Sequence, residues 1–498
     1  MTTAHAASWR SHPAALITVV CAAMFMTGLD TFIVNVALHP IGIALGQRSL
    51  ANLSWILNAY AIVFAALLVP AGRIGDRYGV KATFLLGLAL FTAGSLGSAL
   101  SGSLWLLIAL RCVQAIGAAA LVPTSLGLIL TAIPADRRPQ SVQLWAVSGP
   151  LGAAAGPALG GLLVQVSWQW IFIINVPIGI AALATAAVVA PDSRHSIETG
   201  IPDLLGGALA VIGTGALTLA LVQGPDWGWG SGRTIGSLAV AVAAVAAFIV
   251  RSTRATAPVI DPALFRNRTF TWANLASLAL GICFGTQLLA LVLWLQEGWG
   301  WSAVYTGLGL APGPAMVVVT AVGLRRYHAR VSDGIKTITG SILMGGGGLL
   351  IGLSLTAHPS YAAEVLPGWL IEGVGVGLAV PTIVRAATAG LAAYQTSTGS
   401  AVVQMGRQVG SVIGVALLVI VVGSSSVTAS SLDRFAHSWW WAAAFALAGA
   451  FTCIPLLKAG HQDAPGTGTV PRSGEAEPVA SSARRLEPGK EPEPCSRA

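Results

Sequence analysis

The groups in this sequence best suited to chemistry are ionisable side chains set inside long apolar runs. Asp30 and Arg111 stand first, followed by Glu372, Arg407 and Glu297. A charge is costly to hold in hydrocarbon, so such residues face a bundle interior, pair with one another, and mark ion or substrate paths. Asp30 falls about sixteen residues into the run 14–38, or ~24 Å along a helix rising 1.5 Å per residue. Arg111 falls about seven residues into the run 104–132, or ~10 Å along it. If the first run enters the bilayer from inside and the fourth from outside, both charges lie in the outer half at similar depth and can pair. The chemistry would be proton exchange. Burial and a neighbouring guanidinium act on a carboxyl group in opposite directions, and where they nearly cancel the group can titrate as helices move. The alternative is a fixed structural ion pair.

Three further charges sit in such runs. Glu372 adjoins Gly373, Gly375 and Gly377 and is expected to be a second protonatable site or to face an outer vestibule. Arg407 lies ~13 Å into its run, within reach of the interface by snorkelling or of helix carbonyls. Glu297 stands near a helix end as an interfacial charge.

Long helices are needed to position these groups. A crossing takes ~20 mostly apolar residues for a core of ~30 Å. The sequence offers fourteen such spans: 14–38, 51–71, 82–100, 104–132, 140–163, 168–190, 203–222, 234–250, 270–296, 303–323, 335–357, 364–388, 398–423 and 438–458. The eighth is short, and the tenth contains Pro312 and Pro314. The run 14–38 is too long for the apolar core of a secretion signal and carries Asp30, so it reads as the first membrane helix.

Composition agrees. Hydrophobic residues make up 55% and charged residues 9%, against about 25% charged in soluble domains. Mean hydropathy is +0.75. The net charge of +8 is spread over short connections rather than one face, which argues against nucleic acid as a partner. One set of alternate connections carries Arg73, Arg77, Lys81, Arg137, Arg138, Arg251, Arg254, Arg266, Arg268, Arg325, Arg326, Arg330 and Lys336. The positive-inside rule places that set, and both termini, in the cytoplasm of a multi-pass plasma-membrane protein. Trp227, Trp229 and Trp439 to Trp441 then fall at the outer interface. The five cysteines form no C-x-x-C pair; no disulfide framework, metal site or cofactor is read. From about His461 the chain is rich in Pro, Glu, Ser, Gly and Arg, as in a disordered cytoplasmic tail (459–498).

Glycine and proline mark where helices pack and bend. The fifth span carries Gly149, Pro150, Gly152, Gly156, Pro157, Gly160 and Gly161. Small residues four apart let backbones approach closely, and Pro157 removes a backbone donor. This predicts a tightly packed, bent helix at a moving interface. Gly72-Arg73-Ile74-Gly75-Asp76-Arg77-Tyr78-Gly79-Val80-Lys81 joins spans two and three. Its glycines permit a tight turn, and its mixed charges suit a latch that engages in one conformation and breaks in another.

These motifs resemble the major facilitator superfamily, and within it the fourteen-span drug:proton antiporter branch. The loop 72–81 is similar to the signature between spans two and three, with Val80 in a place often basic. The run Leu29-Asp30-Thr31-Phe32-Ile33-Val34-Asn35-Val36-Ala37-Leu38 resembles the first-helix motif of drug antiporters. Arg111-Cys112-Val113-Gln114-Ala115-Ile116-Gly117 is similar to the fourth-helix motif, and Gly152 with Gly156 to Gly161 to the fifth-helix antiporter motif, with Gln143 where a glycine is usual. Trp168-Gln169-Trp170, Gly224-Pro225-Asp226-Trp227, Leu264-Phe265-Arg266 and Arg407-Gln408-Val409-Gly410 also fit this branch. The counterpart of the 72–81 loop around 323–337 is degenerate.

The resemblance implies an all-α membrane fold of two six-helix bundles, 14–190 and 270–458. Two additional helices and linkers over 191–269 separate them, and a short cytoplasmic N-terminus (1–13) precedes them. It implies alternating access with substrate between the bundles, and a monomer that exports drugs or other small amphipathic molecules, driven by a proton gradient without a cofactor. It places Asp30 and Arg111 in proton coupling. Gly72, Asp76, Arg77, Gly79 and Lys81 would form the cytoplasmic latch, and Gly152, Gly156, Pro157, Gly160 and Gly161 the bundle interface. Pocket candidates are Asn58, Gln114, Asn175, Asn274, Gln287, Trp294 and Arg407, although polar groups at such positions also serve simply to bridge helices. Transport of a particular metabolite or self-made compound by the same fold is the second reading. A polytopic membrane enzyme is a remote third, because no H-E-x-x-H occurs and the eight histidines are scattered.

Overall fold

A computed structural model describes residues 13–134, 136–191, 203–255, 258–323, 331–356, 359–391, 396–422 and 432–459. The expected N-terminal segment before residue 13, the tail beyond 459 and residues 324–330 of the 323–337 loop lie outside these residues.

Among the described residues the chain is helical throughout, with no strand. The first half comprises α1 (Pro13–Ala44), α2 (Leu50–Tyr78), α3 (Val80–Ala99), α4 (Leu104–Ala132), α5 (Arg138–Val164), α6 (Trp170–Ile173) and α7 (Asn175–Val189). Next come α8 (Leu204–Trp227) and α9 (Gly232–Arg254). The second half comprises α10 (Arg268–Leu293), α11 (Ala303–Leu310), α12 (Pro312–Gly323), α13 (Asp333–Ser354), α14 (Tyr361–Glu364), α15 (Leu366–Ala389), α16 (Thr396–Val422), α17 (Leu432–Thr452) and α18 (Leu456–Ala459).

Thirteen helices among the described residues are long and apolar enough to cross a membrane. The fourteenth expected span corresponds to α17, whose first turn carries Asp433 and Arg434. That helix begins six residues before the expected 438 and ends at Thr452. The tenth span is broken between α11 and α12, where Pro312 removes a backbone donor. The sixth is likewise divided at Ile174 into α6 and α7.

Local sequence explains several helix starts. Ser49, Ser103, Ser231 and Ser302 each accept a hydrogen bond from the backbone N–H three residues on, and Asp203 does the same for Gly206. Between α2 and α3 the turn is a single residue, Gly79, at φ +109°, a conformation that L side chains rarely adopt.

The packing repeats between halves. In the first, α1 lies along α5, and α4 along both α2 and α3; in the second, α10 lies along α16, and α15 along both α12 and α13. The halves meet through α5 against α11 and α2 against α16. The α8–α9 hairpin docks on α2 and α16.

Small residues set the closest approaches. Gly152 faces the Phe25 carbonyl, Gly156 lies over Leu29 and Phe32, and Gly160 over Ile33, all on α1. On another side of α5, a Cβ on Gly161 would stand 2.5 Å from the Ala303 carbonyl oxygen, and the Pro157 carbonyl abuts Gly307. One buried core joins both halves at the end where α1 turns into α2, with Leu38, Ile41 and Leu53 beside Leu293, Leu295 and Leu310. Toward the opposite face the larger cores centre on separate halves, bridged by a smaller cluster of Ala65 and Ala66 of α2 with Met405 of α16. One centres on Leu16, Phe84 and Leu128, the other on Phe270, Met344 and Ala387.

Gly152→Val should therefore force α1 and α5 apart. Overpacking of this kind costs about 1–3 kcal/mol, and the variant should show a lowered melting temperature by fluorescence-detected size exclusion. Gly346→Ala, where a Cβ meets nothing, should melt like the unmodified protein.

Candidate functional site

Asp30 is fully buried in α1, and Arg111, 1% exposed, reaches it from α4. Arg111 Nη1 donates to Asp30 Oδ2 at 2.5 Å and to Gln114 Oε1 at 2.7 Å. Gln114 Nε2 donates to Asp30 Oδ1 at 2.8 Å and lies 3.3 Å from Ser95 Oγ. The spacing of Arg111 and Gln114, three residues apart on one helix face, lets both hold the same carboxylate. Ser95 of α3 donates to the Phe172 carbonyl and accepts from Asn175 Nδ2 at 3.2 Å. The guanidinium carbon stands 4.1 Å from the centre of the Tyr60 ring on α2, a favourable cation–π placement. One network thus ties the first four spans to the sixth.

This network borders a cavity of about 360 Å³ between the two halves. From the first half Thr27, Thr31, Asn58, Tyr60 and Arg111 line it; from the second, Phe284, Trp369, Glu372, Gln404 and Arg407 do so. Asp30 itself sits behind Arg111, outside the lining. Three charged residues border the space. Arg111 is neutralised by Asp30. Glu372 is 1% exposed, and both its oxygens lack a hydrogen-bond partner among the described residues. Arg407 Nε donates to Gln404 Oε1 at 3.2 Å.

Of the expected pocket residues, Asn58 and Arg407 line the cavity and the others do not. Gln114 and Asn175 are spent on the Asp30 network. Asn274 Nδ2 donates to the Phe270 carbonyl within its own helix. Gln287 is buried against Gly348 and donates to the Met344 carbonyl. Trp294 is fully buried, its ring 5.2 Å from that of Phe435. Sequence reasoning did not single out Tyr60 or Ser95. Tyr60, two residues past Asn58 on a helix already read as pocket-lining, offered a signal for the first; Ser95 offered none.

In the 72–81 loop, Gly72 packs 3.3 Å from Pro123 and Gly75 2.9 Å from Thr124, measured to a Cβ placed on each glycine. Asp76 and Arg77 are exposed, and Asp76 makes no ion pair among the described residues. Its second-half counterpart keeps a charge cluster that the sequence reading missed. Asp333 pairs with the buried Lys336 at 2.8 Å and with Arg385. The i,i+3 spacing of Asp333 and Lys336 was the available signal.

Where α1 meets α2, two contacts cross between halves. Gln296 Nε2 donates to the Val36 carbonyl at 2.8 Å, and His39 Nδ1 stands 3.8 Å from Glu297 Oε1.

Two helical halves around a central cavity, each built on the same packing, define a membrane transporter of the alternating-access kind. A family model described as Major Facilitator Superfamily matches residues 20–415, and the chain belongs to that superfamily. It is 32% identical over 414 residues to the methylenomycin A resistance protein of Streptomyces coelicolor, covering 82% of this chain and 86% of that protein. It is likewise 32% identical over 487 residues to the tetracenomycin C resistance and export protein of Streptomyces glaucescens, covering 94% and 85%. The fold matches the crystal structure of a peptide transporter, POT, in complex with sulfate. The TM-score is 0.66 and the identity 16%, over 90% of this chain and 96% of that one.

Removing one partner of a buried ion pair costs about 3–5 kcal/mol, because the other charge is left uncompensated. Arg111→Gln should accordingly lower the melting temperature strongly. Adding Asp30→Asn to it should recover most of that loss, and melting curves of both single variants and the double variant measure the coupling.

Proposed function

We propose that this protein is a proton-coupled antiporter that exports drugs, antibiotics or other small amphipathic molecules from the cytoplasm across the plasma membrane. The observation that carries the reading is the position of Arg111. It holds Asp30 on one side and borders the central cavity on the other, so a change of charge on Asp30 is felt at the cavity wall.

In the proposed cycle the outward-open protein takes a proton on Asp30. Loss of the carboxylate charge releases Arg111 toward the cavity and favours the inward-open state. An amphipathic molecule binds from the cytosol or inner leaflet, and the proton leaves inside. Each proton supplies about 2.3 kcal/mol per 100 mV of membrane potential, with the pH difference in addition. Glu372 is a second candidate proton carrier in the same cavity.

The arrangement of residues supports roles for the other motifs. The loop with Gly72, Asp76, Arg77, Gly79 and Lys81 latches the cytoplasmic side. Of the small residues of α5, Pro157 and Gly161 meet the opposing half and form the surface on which the halves rock, while Gly152, Gly156 and Gly160 seat that helix on α1. The moving bodies are residues 14–190 and 270–458, with 191–269 as an accessory hairpin and its linkers. Both termini face the cytoplasm, and the chain works as a monomer. The name of the Streptomyces glaucescens relative, a resistance and export protein, favours export over uptake.

Everted vesicles loaded with a pH probe test the reading. Addition of a transported drug should release a proton signal in the unmodified protein, and Asp30→Asn should abolish it while leaving the protein in the membrane. Unchanged drug-dependent proton movement in that variant removes Asp30 from the mechanism.

A further inference from the structure

Arg407 sits on α16, 11 residues past the Thr396 start, or about 17 Å along the helix. Its only hydrogen bond among the described residues runs from Nε to Gln404. The terminal nitrogens of its fork meet no acceptor among the described residues. Arg407 is half-buried and borders the cavity. No carboxylate pairs with its terminal nitrogens among the described residues. Asp30 is consumed by Arg111 and Gln114. Glu372 lies 17 residues from the end of α15 at Ala389, about 26 Å along that helix from the same face, so it stands about 9 Å higher than Arg407. Its oxygens are themselves buried.

The rest of the wall is largely apolar, with Phe32, Phe284, Leu288, Val317, Met344 and Trp369. A half-buried guanidinium that borders such a wall and has no ion-pair partner among the described residues repels organic cations and attracts planar oxyanions, which it can bind through two parallel N–H donors. We propose that Arg407 is the substrate-recognition residue for an acidic group, and that the cavity takes amphipathic carboxylic acids in preference to lipophilic cations. The apolar body of the acid packs against the aromatic wall, and its carboxylate lies on the Arg407 fork. This rests on the reading of the central cavity as the substrate site and narrows the class of molecule it accepts.

A matched set on one scaffold provides the test: biphenyl-4-carboxylate, biphenyl-4-carboxamide and 4-phenylbenzylammonium. Each is titrated calorimetrically into the purified full-length protein in detergent. The unmodified protein should bind the carboxylate at least about tenfold more tightly than the amide, and the ammonium most weakly. Arg407→Gln should bring the carboxylate down to the amide and leave the amide unchanged, which also reports that the variant is folded. Arg407→Lys, a point charge without the planar fork, should restore part of the preference. Equal binding of acid and amide, preference for the ammonium, or an acid preference that survives Arg407→Gln overturns the assignment while leaving the cavity as a substrate site. Failure of the whole set to bind overturns both the assignment and the reading of the cavity on which it rests.

Discussion

An ion pair kept away from water is the constraint on which the first half depends. Moving either charge from water into protein costs several kcal/mol, and attraction between them offsets that cost only where the remaining lone pairs and protons are also satisfied. Gln114 supplies what the pair lacks. It accepts from Arg111 and donates to the second oxygen of Asp30. The Tyr60 ring covers the guanidinium and the Ile56 carbonyl meets Arg111 Nε at 3.5 Å. Because these groups come from α1, α2 and α4, and Ser95 adds α3 and Asn175 of the sixth span, the charge pair fixes the relative rotation of most helices in that half. A shift in its charge state cannot stay local.

Small residues provide the geometric route outward. In lipid no hydrophobic effect drives helices together, so association rests on close backbone packing. Gly152, Gly156 and Gly160 seat α5 on α1 immediately beside Asp30, while Pro157 and Gly161 seat the same helix on α11 of the other half. One helix therefore touches both the element that carries the carboxylate and the opposing body. Its lack of side-chain bulk permits sliding contact on both sides at once. Bulky residues at either set of positions would hold one packing and exclude another.

How far the sequence revealed this follows from what the physics of a helix determines. Rise per residue is constant, so the common depth of Asp30 and Arg111 follows from counting residues along each span. Pro312 and Pro314 were visible in the tenth span, though the break at Ala311 was not read from them. Rotation about the helix axis was not legible. Helices that are apolar nearly all round give little sign of which side faces a cavity, and so Gln287 and Trp294 read as pocket residues although they pack within the second half. Gln114 was found as a polar residue, but its bond to Asp30 depends on how α4 is turned toward α1. Glu372 and Arg407 were recognisable from charge alone, because the cost of burying them holds in any rotation. The early start of α17 reflects a different limit: Asp433 and Arg434 are helical but polar, and hydropathy marks only the apolar part of a span.

The halves share their largest buried core at one end, and the latch residues bear on the reason. A shared core, the Gln296–Val36 hydrogen bond and the approach of His39 to Glu297 hold the halves together where α1 turns into α2. Toward the other face the larger cores centre on separate halves and only the smaller cluster of Ala65, Ala66 and Met405 bridges α2 to α16, and there Asp76 is exposed and makes no ion pair among the described residues. Under the proposed cycle these are two sides of one motion. Rigid halves that pivot about a central site cannot be closed at both ends with their best contacts made, so engagement at one end is exchanged for engagement at the other. The contacts at each end are then individually weak for a reason. A partly exposed carboxylate, a carbonyl accepting from an amide and a half-buried histidine each contribute on the order of 1 kcal/mol. That is small enough for one proton crossing a membrane potential to shift the balance.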